Sequence, residues 1–143
     1  MKKLVVLGAG ESGVGTAILG KQKGFDVFVS DKGTITGNYK KVLLNNDISF
    51  EEGNHTESII FEAEVVMKSP GIPDTISLIK KLKQQGISVI SEIEFAARYT
   101  KGVIVGITGS NGKTTTTMLV NHILKKEIRN VSMGGNIGDS FAQ

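Results

Sequence analysis

Short apolar runs alternate with segments of helical periodicity through the first two thirds of the chain, and this alternation restricts the fold more than any other feature. The first run, KLVVL at residues 3–7, precedes a glycine-rich loop and a helical stripe at residues 14–18. A second helix is predicted at 39–47. A third is predicted between Asp74, which can cap its start, and Gly86, which ends it. Such alternation predicts an α/β fold with a parallel sheet and helices on both faces. The other predicted strands are residues 26–30, 48–50, 64–69 and 87–91.

A short helix is predicted after the last of these strands. Residues 92–102, EIEFAARYTKG, place Ile93, Ala96 and Ala97 on one side of that helix. The pattern changes near Lys101–Gly102, which we interpret as a domain boundary.

A second unit begins after this boundary. VIVGIT at 103–108 predicts a new buried strand, residues 114–126 a helix, and residues 130–136 the start of another strand. About 40 residues are too few to bury a core alone, so we expect this unit to be a piece of a larger domain. The predicted domains are therefore 1–100 and 101–143. The helix residues predicted to face inward are Leu119, Val120, Ile123 and Leu124.

Composition narrows the class of protein. Of 143 residues, 39% are hydrophobic and 22% charged, as in water-soluble globular proteins. The apolar run at the start breaks at Gly8 after four residues, too short for a signal peptide or membrane span, so we expect a cytoplasmic protein without membrane partners. The absence of cysteine excludes disulfides and thiolate metal sites. The net charge of +3 comes with paired lysines and no aromatic platform, so nucleic-acid binding is not expected.

The first glycine loop, GAGESG, follows a strand and opens a helix. Gly8, Gly10 and Gly13 have the dinucleotide-binding spacing, in which free N–H groups at the helix N-terminus face a phosphate. Asp31 ends the second strand, where such folds place a carboxylate against a ribose or a base. The context predicts a Rossmann-like domain that binds a nucleotide or nucleotide-sugar. The alternative is that the glycines only allow the helix and strand to pack closely.

The second loop, TGSNGKTT, has the same strand, loop and helix order but an unusual spacing. A common P-loop has glycine five residues before its Gly-Lys pair, whereas here Ile107 occupies that place before Gly112. Lys113 can still supply a charge to β- and γ-phosphates, and the hydroxyl of Thr114 is placed for Mg²⁺. An ordinary helix start capped by threonine is the alternative.

Together these residues resemble the Mur ligases, whose ATP loop, shared with folylpolyglutamate synthetases, has the same offset glycines. Further similar elements cover essentially the whole chain. The D-glutamate-adding branch is the most similar, since the alanine-adding branch carries a histidine near its first glycine loop and this chain has none before His55. The similar elements are LGAGESGVG, Asp31 after VFVS, KSPGIP at 68–73, SEIEF at 91–95 and GGNIG at 134–138.

The resemblance implies an ATP- and Mg²⁺-dependent ligase of peptidoglycan synthesis that adds D-glutamate to UDP-N-acetylmuramoyl-L-alanine through an acyl phosphate. It implies that Lys113 and Asn136 act at the reacting end, that Thr114 binds Mg²⁺, and that Asp31 and Lys32 hold the uracil. The ATP site would comprise Gly109, Ser110, Asn111, Gly112, Lys113, Thr114, Thr115 and Thr116. The UDP-sugar site would comprise Gly10, Glu11, Ser12, Gly13, Val14, Asp31, Lys32, Ser69, Pro70, Gly71 and Asn136.

The resemblance also implies what the chain lacks. The family's further Mg²⁺-binding glutamate and histidine, its carbamylated lysine and its C-terminal domain would lie beyond Gln143, so we expect an inactive fragment. Two alternatives of other classes are a NAD-binding Rossmann domain and a non-catalytic nucleotide-sugar-binding module with a vestigial second loop. His55 and His122 are interpreted as a surface-loop and a helix-surface residue, because neither lies among carboxylates at metal-ligand spacing.

Overall fold

A computed structural model describes residues 1–128, 130–135 and 140–142. It contains one sheet of five parallel strands in the order β3-β2-β1-β4-β5, as the alternating pattern predicted. The strands are β1 (Lys3–Leu7), β2 (Asp26–Asp31), β3 (Ser49–Glu52), β4 (Val65–Lys68) and β5 (Ser88–Ile90). The helices are α1 (Glu11–Gln22), α2 (Gly37–Asn45), α3 (Glu57–Ile60), α4 (Ser77–Gln84), α5 (Glu92–Ala97) and α6 (Lys113–Glu127).

The central strand β1 is buried on both faces, which explains its uninterrupted apolar sequence. Leu4 and Val6 pack into one core with residues of α1, α2 and α5, while Val5 and Leu7 pack into the other with residues of α3 and α4. The carboxyl ends of β1, β2 and β4 therefore meet at one edge, which is where α/β sheets of this kind bind ligands.

Helix α5 buries only part of the predicted face, because Ala96 is buried as expected but Ile93 is not. Ile93 is 54% exposed, whereas Phe95 and Glu92 are buried. The ring of Phe95 packs edge-on against Phe25 and Tyr99, at centroid distances of 5.7 and 5.3 Å. The larger apolar area of the aromatic ring sets the orientation of this short helix.

The carboxylate of Glu92 joins α5 to the last described residues. Its Oε1 accepts hydrogen bonds from the Ser140 hydroxyl at 2.5 Å and from the Ala142 N–H at 3.1 Å. A buried carboxylate needs such donors to replace water.

The start of helix α4 differs from the prediction. Asp74 does not cap α4: Ile76 is the N-cap residue, and Asp74 instead accepts from the Lys83 ammonium at 3.2 Å.

The second unit has its predicted helix but not its predicted strands. Residues 103–108 form no strand, with Val103 95% and Val105 62% exposed, and residues 130–135 contain only an isolated bridge at Gly134. Helix α6 buries none of its residues, so the predicted inward face of Leu119, Val120, Ile123 and Leu124 is wrong for this structure. A strand needs a neighbouring strand for its backbone groups, and no described strand pairs with 103–108.

Within the described parts of the chain, none of the helices combines the length and the apolar character that a membrane crossing requires.

Candidate functional site

The first glycine loop connects β1 to α1 in a conformation that depends on its glycines. Gly8 has φ +92°, a region that side chains disfavour. At Gly13, a Cβ would lie 1.9 Å from the carbonyl oxygen of Gly8, so a larger residue would push the helix off the loop. Gly10 is the N-cap residue of α1 and has open space around it.

Helix α1 begins at this loop, and its first N–H groups have no acceptor within the helix. The N–H of Val14 donates to the carbonyl of Gly10 at 2.9 Å, so the preceding N–H groups, of Glu11, Ser12 and Gly13, have no partner within the helix. These three groups and the helix dipole suit an anion such as a diphosphate. Val14 was predicted as part of the UDP-sugar site, and its place there stays a prediction; its N–H already donates to Gly10 and its side chain is buried.

Asp31 lies at the end of β2, where the sequence placed it, and also holds the backbone. Its Oδ2 accepts from the Ala9 N–H at 2.6 Å, and its Oδ1 accepts from the Gly33 N–H at 2.7 Å. Each carboxylate oxygen can accept a second hydrogen bond, so a ligand contact remains available. Lys32, the next residue, is exposed. Sequence reasoning missed the structural role of Asp31.

Ser69, Pro70 and Gly71 follow β4, and Ser69 lies beside the first glycine loop. The Ser69 N–H donates to the Leu7 carbonyl at 3.0 Å, and a Cβ on Gly8 would come within 2.7 Å of the Ser69 hydroxyl oxygen. The structure therefore brings Ser69 against the first glycine loop. The Lys68 ammonium, which sequence reasoning did not single out, donates to the carbonyl of Ile72 at 2.6 Å and fastens this turn.

A polar cluster that sequence reasoning missed lies at the ends of β2 and β3. Ser30 is fully buried, and its hydroxyl oxygen lies 2.6 Å from Glu51 Oε1 and 2.6 Å from His55 Nδ1. Glu51 also accepts from the N–H of Thr56 at 2.8 Å and from its hydroxyl at 2.5 Å. His55 lies in a loop, as predicted, but it is half-buried and contacts Ser30, whereas His122 lies exposed on α6 as predicted.

The cluster shifts the ionisation of two groups. Burial acts to raise the pKa of Glu51, but the hydrogen bonds from Ser30 and Thr56 outweigh it, so this pKa lies below its ordinary value. Burial lowers the pKa of His55, and the negative charges of Glu51 and Asp31 offset this only in part. At neutral pH the cluster therefore contains a carboxylate and a neutral imidazole.

The loop that carries His55 is fastened to the loop after Asp31. The Gly53 N–H donates to the Gly33 carbonyl at 3.0 Å, and the Ile35 N–H donates to Glu52 Oε2 at 2.9 Å. The two loops therefore lie side by side at the carboxyl edge of the sheet.

The second glycine loop precedes α6. Gly112, its N-cap residue, has φ +76°, and Gly109 has φ +149°. The Lys113 ammonium folds over the loop and donates to the carbonyl of Gly109 at 2.6 Å and to that of Ser110 at 3.3 Å. The charge is thus held above the loop, close to backbone groups that a phosphate would approach.

Backbone N–H groups at the start of α6 lie next to this lysine in the chain. The N–H of Thr116 donates to the Gly112 carbonyl at 2.9 Å, so the N–H groups of Lys113, Thr114 and Thr115 lack partners within α6. The loop and the first turn of α6, residues 109–116, are exposed. Of the predicted ATP-site residues, Thr116 can contribute its hydroxyl but not its N–H.

This donor set fits ATP and Mg²⁺. One ammonium, three free N–H groups and the exposed Thr114 hydroxyl suit a chain of phosphates with a hard cation. Within the part of the chain that the structure describes, no three histidine or acidic side chains come together in a way that could bind a metal. Asn136, predicted at the reacting end, lies outside the described residues.

Comparison with known proteins matches both glycine loops to one group of enzymes. The family described as the MurD N-terminal domain matches residues 3–78, and the Mur ligase middle domain matches residues 107–142. The UDP-N-acetylmuramoylalanine–D-glutamate ligase of Christiangramia forsetii is 61% identical over 99% of this chain and 32% of its own length. The ligase of the same name from Bacteroides thetaiotaomicron is 58% identical over the same shares. The chain therefore spans about a third of the length of these curated relatives.

Solved structures of peptide ligases are also similar to this chain. A pseudomurein peptide ligase type C from Methanothermus fervidus is similar with a TM-score of 0.62 and 31% identity, over 94% of this chain and 29% of that one. A murein peptide ligase from Psychrobacter arcticus has a TM-score of 0.64 at 22% identity, over 87% of this chain and 26% of that one, and shows the fold alone.

Proposed function

The chain belongs to the family of MurD N-terminal domains, and from this premise we propose that it is part of an ATP-dependent ligase joining D-glutamate to UDP-N-acetylmuramoyl-L-alanine. The observation that carries the proposal is the pair of helix N-termini suited to phosphates, within a sequence that matches ligases of that name along almost its whole length. The reaction belongs to peptidoglycan synthesis and, because it consumes ATP and a nucleotide-sugar, to the cytoplasm.

The first domain, residues 1–100, would bind the UDP end of the substrate. The free N–H groups of Glu11, Ser12 and Gly13 would receive the diphosphate, and Asp31 with Lys32 the uracil. The segment from Ser69 to Gly71 would form a wall of the same site. This assignment is supported by the contacts that bring the three segments to one edge of the sheet.

The second unit, residues 101–143, would bind ATP. The Lys113 ammonium would leave the carbonyls of Gly109 and Ser110 for the β- and γ-phosphates, and the N–H groups of Lys113, Thr114 and Thr115 would hold phosphate oxygens. The hydroxyl of Thr114 would be one ligand of Mg²⁺, which when bound neutralises charge on the phosphates. Asn136 would lie toward the reacting end.

The proposed reaction activates a carboxylate. An oxygen of the alanyl carboxylate attacks the γ-phosphorus, so that a P–O bond to ADP breaks and an acyl phosphate forms. The amine of D-glutamate then attacks the acyl carbon through a tetrahedral intermediate, phosphate leaves, and the amine loses a proton. The residues of this chain position phosphates and stabilise charge, which is what phosphoryl transfer requires of a protein.

The test has two parts. In a full-length ligase carrying this sequence, phosphate release should require ATP, D-glutamate and UDP-N-acetylmuramoyl-L-alanine together. Calorimetry on the 143-residue chain should show binding of UDP and no binding of NAD. Binding of NAD without UDP would favour a dinucleotide-binding domain and overturn the proposal.

The chain tested alone is expected to show no ligase turnover. Residues 103–108 form no strand and α6 buries no residue, so the second loop lacks the rigid, water-poor surroundings in which phosphoryl transfer is fast. Phosphate release by the isolated chain on the order of 1 s⁻¹ would contradict this expectation.

A further inference from the structure

His55, Ser30 and Glu51 form a chain of contacts that the proposed function leaves unused. The Ser30 hydroxyl oxygen is the central atom, 2.6 Å from both the carboxylate of Glu51 and Nδ1 of His55. All three residues lie at the carboxyl ends of β2 and β3 or in the loop that follows β3. They therefore lie at the same edge of the sheet as the nucleotide site.

The direction of each hydrogen bond follows from counting protons. Glu51 is a carboxylate and can only accept, which it does from Thr56 and from Ser30. The Ser30 hydroxyl has one proton, which goes to Glu51 at 2.6 Å rather than to the more distant Asn54 carbonyl at 3.4 Å, so its oxygen must accept from His55. Neutral His55 therefore carries its proton on Nδ1, and Nε2 carries the lone pair. The lowered pKa of Glu51 and that of His55 agree with this arrangement at neutral pH.

Ser30 connects this chain of contacts to the glycine loop. Its backbone carbonyl accepts from the Gly8 N–H at 2.9 Å, and the next residue, Asp31, accepts from the Ala9 N–H. The loop carrying His55 is also tied to the loop after Asp31 through the Gly53–Gly33 hydrogen bond. A side chain that fixes Ser30 therefore fixes the end of β2, where two residues of the glycine loop attach.

We propose that His55, as the Nδ1–H tautomer, is a positioning residue for the nucleotide site, holding Ser30 and thereby the glycine loop and Asp31 in place. This inference rests on the proposed function, since it concerns the site assigned there to UDP. His55 acts through Ser30 and needs no contact with the ligand.

Two substitutions distinguish the ring nitrogens. The amide nitrogen of asparagine can occupy a position near that of Nδ1, whereas the amide of glutamine reaches toward the position of Nε2. His55→Asn should keep a donor for Ser30 and bind UDP within about twofold of the wild type. His55→Gln should lose that donor and weaken UDP binding about three- to tenfold, the effect of one hydrogen bond. His122→Asn, on the exposed surface of α6, is the matched control and should change nothing.

The tautomer is measured directly by ¹⁵N NMR of the histidine side chains above the ordinary histidine pKa of 6.5. We expect protonated Nδ1 and unprotonated Nε2 for His55. A protonated Nε2, or equal UDP affinity of the wild type and His55→Gln, would overturn the inference, as would equal losses in the asparagine and glutamine variants. Absence of UDP binding by the wild type would instead overturn the proposed function, and with it the nucleotide part of this inference.

Discussion

Asp31 and Ala9 are joined by a hydrogen bond of 2.6 Å, in which the backbone N–H of Ala9 donates to the carboxylate. The acid at the end of β2 thus holds the glycine loop, in addition to any contact with a base. Because Gly33 donates to the other oxygen at 2.7 Å, the same side chain braces two loops. Its replacement therefore affects the shape of the site as well as its contacts.

Asp31→Ala is expected to lower the free energy of unfolding by about 1–3 kcal/mol and to weaken UDP binding, because two backbone donors lose a charged acceptor. Denaturant unfolding and calorimetry measure the two effects. Asp26→Ala, at the exposed opposite end of β2, is the control and should change neither. Unchanged stability in Asp31→Ala would show that the two backbone hydrogen bonds contribute little.

Gly13→Ala should disrupt the first glycine loop, whereas Gly10→Ala should be tolerated. A methyl group at position 13 would lie 1.9 Å from the Gly8 carbonyl oxygen, but one at position 10 meets no atom within 4 Å. We expect a stability loss of about 2 kcal/mol or more with loss of UDP binding for Gly13→Ala, and less than about 1 kcal/mol for Gly10→Ala. Thermal unfolding with and without UDP compares them, and similar behaviour of the two variants would contradict this account of the loop.

Lys113→Ala and Thr114→Ala should each reduce turnover of a full-length ligase by about 10²- to 10³-fold, since each removes a preorganised contact to the reacting phosphates. Neither should alter UDP affinity. Lys125→Ala, in the last turn of α6, is the control for loss of a positive charge. If the loop were only a helix start, Lys113→Ala would instead cost about 0.5–2 kcal/mol of stability and remain active.

Stability should decrease toward acid in two steps. The pKa of His55 lies below its ordinary 6.5 in the folded chain, so the unfolded chain binds more protons and stability falls as pH drops below 6.5. The pKa of Glu51 lies below its ordinary 4.5, so a second loss begins below that pH. The first step depends on the burial of His55 and on the charges of Glu51, Asp31 and Lys32, which together determine the pKa of His55. Unfolding measured across this range should show the first step in the wild type and not in His55→Asn.

Much of the first domain could be predicted from the sequence because its cues are local. An uninterrupted apolar run such as Leu4–Leu7 indicates a strand covered on both faces, and the glycine spacing predicts the turn that opens α1. Contacts between loops could not be predicted in the same way. Nothing near Asp31 in the sequence indicates that Ala9 would donate to it, and Ser30 and His55 meet only because β2 and β3 are neighbours.

In the second unit, prediction from the sequence failed for a different reason. Periodicity identifies side chains that can be buried, such as Leu119 and Ile123, but it does not indicate what would cover them. In helix α5 the pattern favoured Ile93, and the aromatic contacts of Phe95 decided otherwise.

The Glu92 contact has a mechanical consequence for the second loop. Glu92 accepts a hydrogen bond from Ala142, which lies 50 residues further along the chain. The stretch that carries Lys113 and α6 is therefore tied to helix α5 at its end as well as at its start. A segment tied at both ends samples fewer conformations than one tied at a single end, so this contact restricts the positions that Lys113 can reach. Releasing the Glu92 contact would widen that range without changing any atom of the second glycine loop.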